Sequence, residues 1–508
     1  MAISRYVCSV LLIWLSTILT APAGDWSTVG GNNQRNGQSD ETGPATNQLL
    51  WSKPSLNSVW GNQVYTWGDK LVTTRYTSLS PLRAPLACHN LYTGDTLWTR
   101  NYAPNGVMIV MGFHNDQIYA RNFQQGGADS IYAINPADGA VIWKSDFTVE
   151  RGIIWSAVFT GNGDLIVPGS GSLGIMRIDH ADGDTVWTLT RTIPNTGAES
   201  MCAIGNTLYA WEGAINTPKR LMAIDIDNGA VKYYSPALPG DGDQEITFSL
   251  GPDGVIYCAR DGGSIYALED NGNALAIRWS APPRGTIGTY AQFGVGPDNS
   301  VYIPMGKRLY RFDALTGAAL DSSVEVIGSG VANGRMAIGA DGMVYFGNGA
   351  SEPAQGKYFM FSPDLQEVFW SQNVPFNYYS GPALGRDGIL VFGGSGATLY
   401  AYQTPTAISP RPAALPEGFS LAQNYPNPFN PVTTIPFTLP KAANAAVMIY
   451  NSAGQPVRTL ISGNLAAGRH LLRWDGTDGG GKAVASGVYL YRLTAGNFKE
   501  ARKMTLLR

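Results

Sequence analysis

A pattern that recurs along the chain constrains its fold more than any other feature of the sequence. Each copy has an apolar strand, a turn with Asp-Gly or Asn-Gly in most copies, and a second strand that ends in most copies on an aromatic residue, as in IYAINPADGAVIW up to Trp143. Asp-Gly and Asn-Gly pairs accept the positive φ angles of tight hairpin turns. The copies recur about every 45 residues, a period typical of repeats that supply four strands to each propeller blade. The sequence therefore predicts an all-β chain containing a β-propeller.

The number of copies predicts the number of blades. Seven copies are complete, and an eighth begins at Gly385 but reaches Thr404 without its outer strand. Residues 47–51 have the pattern of that missing strand, and closing the ring with them leaves no open sheet edge between the first and last blades. We therefore expect eight blades, with seven as the alternative if the degenerate copy ending at Leu320 is not a blade.

The tryptophan that ends most copies is large enough to contact the neighbouring blade. One copy ends on another aromatic residue, Tyr234. The predicted blade-docking residues are Trp51, Trp98, Trp143, Trp187, Trp279 and Trp370.

The first residues have the pattern of a secretory signal peptide. Arg5 supplies a positive charge, residues 10–19 are an apolar stretch too short to span a bilayer comfortably, and Ala21 and Ala23 fit a cleavage site with Gly24 as the mature start. An uncleaved membrane anchor is the alternative. Since no second apolar stretch follows, we expect no transmembrane span in the mature chain, which would be exported through the periplasm.

Composition excludes several classes of function. Charged residues make up 14% of the chain, the net charge is −3, and no basic run occurs, so nucleic acid is not an expected partner. Of the four cysteines, Cys8 lies in the predicted signal peptide, which leaves Cys88, Cys202 and Cys258. An odd number cannot pair completely within one chain, and the absence of Cys-x-x-Cys argues against thiol redox chemistry and zinc ribbons.

A proline-rich stretch divides the chain into two parts. Residues 404–416 resist both helix and sheet, and we interpret them as a linker between a propeller at 24–403 and a second domain at 417–508. Alternating apolar strands and the turns at Asp475-Gly476 and Asp478-Gly479 predict a small immunoglobulin-like β-sandwich for that domain.

Residues 25–403 resemble the PQQ-like propellers of the quinoprotein alcohol dehydrogenase type, through the repeats and through Asp25-Trp26 and Gly30-Gly31-Asn32. The resemblance implies a quinone stacked between a tryptophan and a disulfide of adjacent cysteines, with calcium beside it. This chain has no adjacent cysteines and no haem-binding Cys-x-x-Cys-His. Four tryptophans outside the repeat positions could line a channel, namely Trp60, Trp67, Trp155 and Trp211.

The C-terminal domain resembles the type IX secretion sorting domain. The resemblance implies transport across an outer membrane by the type IX secretion machinery and attachment to the surface of a Gram-negative bacterium; a plain immunoglobulin-like accessory domain is the alternative. It rests on the run NYPNPFNP, on IYNSAGQPVRTL and on the terminal KMTLLR. The matching motif positions are Asn424, Pro426, Asn427, Pro428, Phe429, Asn430, Pro431, Gly487, Tyr489 and Lys503.

Three functions are consistent with these observations. The favoured one is a non-catalytic binding or scaffold module for a surface protein or glycan, because no catalytic, cofactor-binding or metal-binding residue can be assigned. The alternatives are a secreted dehydrogenase using PQQ and calcium, and a polysaccharide-degrading enzyme. Residues 241–245 are the best acidic cluster for calcium, although a solvated loop explains them more simply.

Overall fold

The computed structural model shows an almost purely β chain. One short 3₁₀ helix, Arg386–Gly388, occurs among the described residues, and none of their helices is long and apolar enough to cross a membrane. The structure describes residues 25–507 apart from positions 55–63, 75–77, 80–81, 84, 103–105, 125–129, 148–156, 169–173, 191–200, 214–217, 240–247, 261–262, 289–290, 353, 376, 378–379, 394–397, 405–418, 422, 425–426, 432, 442, 466–467 and 497.

The repeat region forms eight four-stranded antiparallel sheets, numbered here as blades 1–8 in chain order. Strand β1 (Leu49–Pro54) precedes them and belongs to blade 8. The next strands are β2 (Tyr65–Trp67), β3 (Lys70–Thr74), a hairpin of β4 (Ser78–Leu79) and β5 (Leu82–Arg83), β6 (Leu86–Asn90) and β7 (Thr96–Arg100) in blade 1; β8 (Gly106–His114), β9 (Gln117–Gln124), β10 (Ile131–Ile134) and β11 (Val141–Lys144) in blade 2; β12 (Val158–Phe159), β13 (Leu165–Pro168), β14 (Ile175–Ile178) and β15 (Thr185–Leu189) in blade 3; and β16 (Met201–Ile204), β17 (Thr207–Glu212), β18 (Arg220–Asp225) and β19 (Val231–Tyr234) in blade 4.

The second half of the ring repeats the same meander. Its strands are β20 (Ser249–Leu250), β21 (Ile256–Ala259), β22 (Ile265–Asp270) and β23 (Leu275–Ala281) in blade 5; β24 (Gly294–Val295), β25 (Val301–Met305), β26 (Arg308–Phe312) and β27 (Ala319–Ser322) in blade 6; β28 (Arg335–Ile338), β29 (Val344–Gly347), β30 (Lys357–Phe361) and β31 (Val368–Asn373) in blade 7; and β32 (Ala383–Leu384), β33 (Leu390–Gly393) and β34 (Thr398–Tyr402) in blade 8.

The ring closes by pairing the two ends of the repeat region. Strand β1 is antiparallel to β34, with Trp51 opposite Ala401 and Lys53 opposite Leu399, and so forms the outer strand of blade 8. The degenerate copy near Leu320 forms a complete sheet, β24 to β27. The expectation of eight blades is confirmed, and the seven-bladed alternative is wrong.

The core of the propeller lies between adjacent blades, and the first strands of neighbouring sheets lie side by side around the axis. Middle strands such as β10 are buried along their whole length because both faces of each sheet pack against a neighbour. Cys202 in blade 4 and Cys258 in blade 5, for example, belong to one buried apolar cluster. The outer strands leave apolar side chains exposed at the rim.

The C-terminal domain is a β-sandwich of two sheets, as expected. Trp474, Tyr491 and Phe437 lie in the single apolar cluster between them. One sheet has the order β35-β36-β39 and the other β38-β37-β40-β41, with strands β35 (Ser420–Leu421), β36 (Thr433–Leu439), β37 (Ala443–Asn451), β38 (Pro456–Leu465), β39 (Gly468–Trp474), β40 (Gly487–Ala495) and β41 (Phe498–Leu506).

Candidate functional site

The N-terminal segment, residues 25–43, runs around the inside of the ring and contacts every blade. Its hydrogen bonds lie on the first strand of each blade, near the end where that strand turns into the second strand. We call this end of the ring the base of the central channel. The contacted groups are the backbone N–H and C=O of Thr66 in blade 1, the N–H of Phe113 in blade 2, the N–H and C=O of Phe159 in blade 3, the N–H groups of Ala203, Leu250, Val295 and Ile338 in blades 4 to 7, and the C=O of Leu384 in blade 8.

The residues of this segment explain its path. The Asn33 side chain donates to the Phe159 carbonyl at 2.6 Å and accepts the Phe159 N–H at 2.8 Å, in place of a strand partner. Gly30 has a φ of +76°, and a Cβ there would lie 2.8 Å from Nε2 of Gln292 and 2.9 Å from the backbone of Arg35. A polar, glycine-containing segment can therefore satisfy the inner edge of the ring at close range. At the base, the channel is therefore filled by polar groups of this segment.

Two arginines bring positive charge into the ring interior. Arg35 lies on the N-terminal segment and Arg335 begins β28, and both are at least 96% buried. Burial raises the pKa of Tyr65 in blade 1, and the charges of Arg335 and Arg35 partly offset that rise. Arg35 also opposes the rise in the pKa of the Cys202 thiol, in blade 4. Arg35 thus acts electrostatically on blades separated along the ring.

An aromatic group lies near the base between blades 1, 2 and 3. The His114 ring stacks on Phe159 with centroids 4.5 Å apart and meets Trp67 edge-on at 5.0 Å. Burial lowers the pKa of His114 to about 4, so the ring is neutral at physiological pH. Trp67 and Trp211 are both buried against other aromatic rings. Neither offers a free face to a cofactor, while Trp60 and Trp155 lie outside the described residues.

Metal-binding side chains converge at one place in the described part of the chain, in blade 3, where Asp164, Asp179 and His180 come together. The Asp164 carboxylate is already held by Arg177 Nη2 and by His180 Nδ1, each at 2.8 Å. A guanidinium at that distance supplies the positive charge that a metal ion would supply, so we interpret this group as a structural ion-pair network. Residues 241–245 lie outside the described residues.

The described residues do not fit PQQ and calcium as the family resemblance implies them. Cys88, Cys202 and Cys258 are buried and unpaired, and burial raises the pKa of the Cys88 thiol to about 12. Adjacent cysteines, which would form the disulfide against the quinone, do not occur in the sequence. We therefore derive no chemistry through either group.

Five of the predicted docking tryptophans join their blade to the next one in the same way. The indole N–H donates at 2.8–2.9 Å to a carbonyl in the turn between the third and fourth strands of the next blade. The ring lies against the glycine of that turn, where an added Cβ would approach it within 2.5–2.9 Å. The partners are Leu91 and Gly94 for Trp51, Pro136 and Gly139 for Trp98, His180 and Gly183 for Trp143, Ile226 and Gly229 for Trp187, and Ala314 and Gly317 for Trp279.

Trp370, the sixth predicted residue, docks differently. Its ring stacks on Tyr402 of blade 8 with centroids 5.3 Å apart, but its Nε1 has no hydrogen-bond partner in the described part of the chain. Blade 8 lacks the accepting turn because its third and fourth strands, β34 and β1, come from opposite ends of the repeat region. The missing bond is thus a consequence of how the ring closes.

Two copies end one residue away from the predicted position. The strand register places Tyr233, not Tyr234, opposite Ala223, and Asp321, not Leu320, opposite Arg311. The Tyr233 hydroxyl donates to Asp270 of blade 5, which also accepts the Tyr209 hydroxyl at 2.6 Å. Asp321 pairs with Arg311 at 3.1 Å. The tryptophan copies have the same bulge, and Tyr233 and Asp321 each lie four residues after the turn glycine, as Trp143 does, so the spacing from that glycine marks both positions in the sequence.

The motif residues of the C-terminal domain divide into a buried and an exposed group. Asn424 is buried: its backbone N–H donates to the Tyr491 hydroxyl, and its side-chain amide donates to the Thr433 hydroxyl. Phe429 is buried beside Trp474, and its backbone bonds with Thr505 and Leu507. Tyr489 is buried, Gly487 has a φ of +155° at the start of β40, and the remaining described motif residues, Asn427, Pro428, Asn430, Pro431 and Lys503, are exposed. Pro426, and the predicted cleavage residues Ala21, Ala23 and Gly24, lie outside the described residues.

Comparisons with known proteins agree with this architecture. Residues 83–323 match the family described as outer membrane protein assembly factor BamB, and residues 430–498 match the FlgD Ig-like domain. No curated protein matches the chain. The chain thus contains a BamB-like repeat domain followed by an Ig-like domain.

Several solved structures share the fold. Quinohemoprotein alcohol dehydrogenase from Comamonas testosteroni has a TM-score of 0.57 at 14% identity, with 78% of this chain and 83% of that chain covered. A quinohemoprotein alcohol dehydrogenase from Pseudomonas putida has a TM-score of 0.54 at 13% identity, with the same coverage of 78% and 83%. A europium-containing methanol dehydrogenase has a TM-score of 0.52 at 12% identity, covering 75% of this chain and 98% of that chain. Identities this low show a common fold and leave activity open.

Proposed function

We propose that this chain, with its BamB-like repeat domain and its Ig-like domain, is a non-catalytic surface protein that binds a protein or glycan on the face of the ring opposite the base. The observation that carries the proposal is the N-terminal segment, which bonds to all eight blades from inside. Because the chain itself occupies the base, a ligand reaches the channel from the opposite face. The tryptophan contacts between blades lie at the base end, where the third strand of each blade turns into the fourth, and they hold together the ring that presents the opposite face.

We further propose the route by which the chain reaches the surface. The predicted signal peptide would take it to the periplasm, and the C-terminal domain would take it across the outer membrane through the type IX secretion machinery. Support comes from the packing of the motif, since the backbone of Phe429 bonds to Thr505 and Leu507 along one edge of the end of the chain. The motif and the C-terminal end of the chain thus form one folded unit that a secretion receptor could recognise.

The route is tested by expressing the full chain, and a chain ending at residue 404, in a bacterium with type IX secretion. We expect antibody labelling of intact cells for the full chain and retention of the shortened chain in the periplasm. The full chain in a strain without the type IX machinery is the matched control and should also be retained. Surface labelling of the shortened chain would contradict the proposal.

The absence of dehydrogenase activity is tested separately with the mature chain, residues 24–508. Calorimetric titration with PQQ in the presence of calcium should show no saturable binding, because the described residues do not supply the stacking disulfide. Tight binding at one site per chain would overturn the non-catalytic proposal. If PQQ does not bind, a glycan array and capture of outer-membrane proteins by the mature chain would identify the ligand. Turnover of a bound glycan would replace the proposal with the polysaccharide-degrading alternative.

A further inference from the structure

The outer face of one sheet in the C-terminal domain exposes apolar side chains. On β37, β40 and β41, the residues that alternate with the buried ones point away from the core of the sandwich. Val488 and Leu490 on β40 are 42% and 36% exposed, and Tyr450 lies opposite Leu490 on β37. The solvated face of an antiparallel sheet is normally polar. This face therefore has an apolar centre that the described part of the chain leaves uncovered.

Cations surround the apolar centre. Lys503 lies opposite Leu490 on the edge strand β41, and Lys499 is exposed farther along that strand. Arg492 follows Leu490 by two residues, and its guanidinium carbon lies 4.6 Å from the centre of the Tyr450 ring. We call these residues, with Val488, the basic sheet face.

No carboxylate offsets the charge of the basic sheet face. The structure describes all residues of strands β37, β38, β40 and β41, and Glu500 is the single acidic residue among them. Its side chain lies on the core side, where it accepts the backbone N–H of Leu421 at 3.1 Å. A partner for this face should therefore combine carboxylates with some apolar surface.

The charge of the chain is divided unevenly between its two domains. Residues 417–508 contain ten Lys and Arg against four Asp and Glu, whereas residues 25–403 contain 23 Lys and Arg against 34 Asp and Glu. The C-terminal domain is therefore basic and the propeller acidic, although the net charge of the whole chain is only −3. Opposite charges of this kind attract two surfaces before they touch.

The acidic residues of the propeller concentrate at its base. The turns between the first and second strands and between the third and fourth strands lie there, and the structure describes all of them. Each of the eight blades has at least one Asp or Glu in these turns, whereas Arg386 is the single Lys or Arg in them. Asp138, Asp182, Asp227 and Asp253 are exposed examples from blades 2 to 5. The base thus presents carboxylates around the whole ring.

We propose that the basic sheet face of one copy docks on the acidic base of the propeller of a second copy. The contact joins two different surfaces of the same chain, so each copy in a pair keeps one of them free and association continues from copy to copy. The base is opposite the face that we propose for the ligand. Assembled copies would therefore keep their ligand-binding faces open, and would bind a polymer or a crowded surface at several points.

The size of the basic sheet face indicates a weak contact. Its four strands have nine or ten residues each. With a spacing of about 4.8 Å between strands and a rise of about 3.4 Å per residue, they cover roughly 500 Å². A stable complex buries about 800 Å² on each partner. We therefore expect reversible association that depends on concentration.

Sedimentation velocity of the full mature chain tests the association. Between about 1 and 100 µM in low salt, the mean mass should rise above that of one chain, and about 0.5 M NaCl should return it to the monomer because salt screens exposed charges. Pairing of open strand edges, in contrast, persists in salt. A monomer at every concentration, which includes docking within one chain, or association that salt does not change, would overturn the inference.

A pair of matched variants locates the basic sheet face. Lys499→Glu with Lys503→Glu should abolish the association. Lys441→Glu with Lys482→Glu makes the same change of charge at exposed positions between strands of the same domain, away from the sheet face, and should largely keep it. Equal losses in the two variants would show that only the net charge matters and would contradict a docking face.

The same variant distinguishes docking on the base from contact between two sheet faces. A fluorescently labelled trace of the Lys499→Glu, Lys503→Glu chain still has an intact base, so it should sediment with unlabelled wild-type chain although it does not associate with itself. Loss of binding to the wild-type chain would mean that two sheet faces contact each other, and would overturn the proposal.

The base itself is tested in that labelled chain by adding Asp138→Asn, Asp182→Asn, Asp227→Asn and Asp253→Asn. Asparagine keeps a side-chain oxygen that can accept the backbone N–H groups bound at three of these turns. Binding to the wild-type chain should weaken about fivefold or more, because four carboxylates are lost. Unchanged binding would exclude the base as the docking surface. These measurements use purified chain, so they do not depend on the secretion route or on the ligand.

Discussion

At the scale of single residues, the contact between a tryptophan and a glycine holds adjacent blades together. The indole provides a large apolar surface and one N–H donor, and the glycine provides a turn against which the ring can lie without a Cβ between them. Five blade contacts use both parts of this arrangement, while Trp370 keeps only the stacking. Comparing variants of Trp98 and Trp370 therefore separates the contribution of the hydrogen bond to stability from that of the packing.

We expect Trp98→Phe to destabilise the propeller more than Trp370→Phe. Both substitutions remove apolar area and an indole N–H, but only the N–H of Trp98 is hydrogen-bonded, so only the first leaves a buried carbonyl, that of Pro136, without its 2.8 Å bond. Such a bond contributes about 1 kcal/mol. Urea unfolding of the two variants measures the difference, and equal losses would show that the hydrogen bond adds nothing to the stacking.

At the scale of the element, the turn between the third and fourth strands of a blade packs against a tryptophan of the preceding blade. Gly183 in blade 3 has a φ of +85° and lies under Trp143, where a Cβ would be 2.5 Å from the ring. Gly272 lies between the third and fourth strands of blade 5 with a φ of +79°, but the hairpin there is longer, with Asp270 opposite Leu275, and nothing lies within 4 Å of the Cβ position of Gly272. The two glycines share a backbone conformation and differ in their surroundings.

Replacing each glycine by alanine tests that difference. Both variants incur the cost of a left-handed alanine, about 1 kcal/mol, and Gly183→Ala should lose roughly 1–3 kcal/mol more because the Trp143 ring must move. Thermal unfolding of the two variants is the measurement. If Gly272→Ala were as destabilising as Gly183→Ala, the contact with tryptophan would not be what requires glycine in this turn.

At the scale of the whole molecule, the first thirty described residues close the ring twice. Residues 25–43 bond to the inner strands, and β1 pairs with β34 as the outer strand of blade 8. Without them, β34 would expose an unpaired edge, which invites pairing with other chains.

We therefore expect a chain lacking residues 24–54 to associate, whereas a chain lacking residues 405–508 stays monomeric. Both deletions remove terminal sequence, but only the first opens the sheet of blade 8. Size-exclusion chromatography with light scattering distinguishes the two results. A monomeric, cooperatively unfolding product of the first deletion would show that β1 is dispensable for closure.

The sequence by itself determined the all-β class, the eight blades and the second β-domain. These follow from local signals: the Asp-Gly and Asn-Gly turns, the two-residue alternation of strands, and the repeat period, which matches the length of one four-stranded blade. The outer strand of blade 8 was also predictable, because the last copy lacks a strand whose pattern occurs at residues 47–51. Even the tryptophans could be assigned to blade contacts from their position after each turn.

Tertiary structure alone decided how residues far apart in sequence meet. The path of residues 25–43 around the base, the approach of Arg35 and Arg335 to Tyr65, and the bridge of Asp25 between Gly68 and Arg386 all depend on ring closure. The physical reason is that a propeller gathers its central site from all blades, so the contacts that define it are long-range and leave no periodic trace in the sequence.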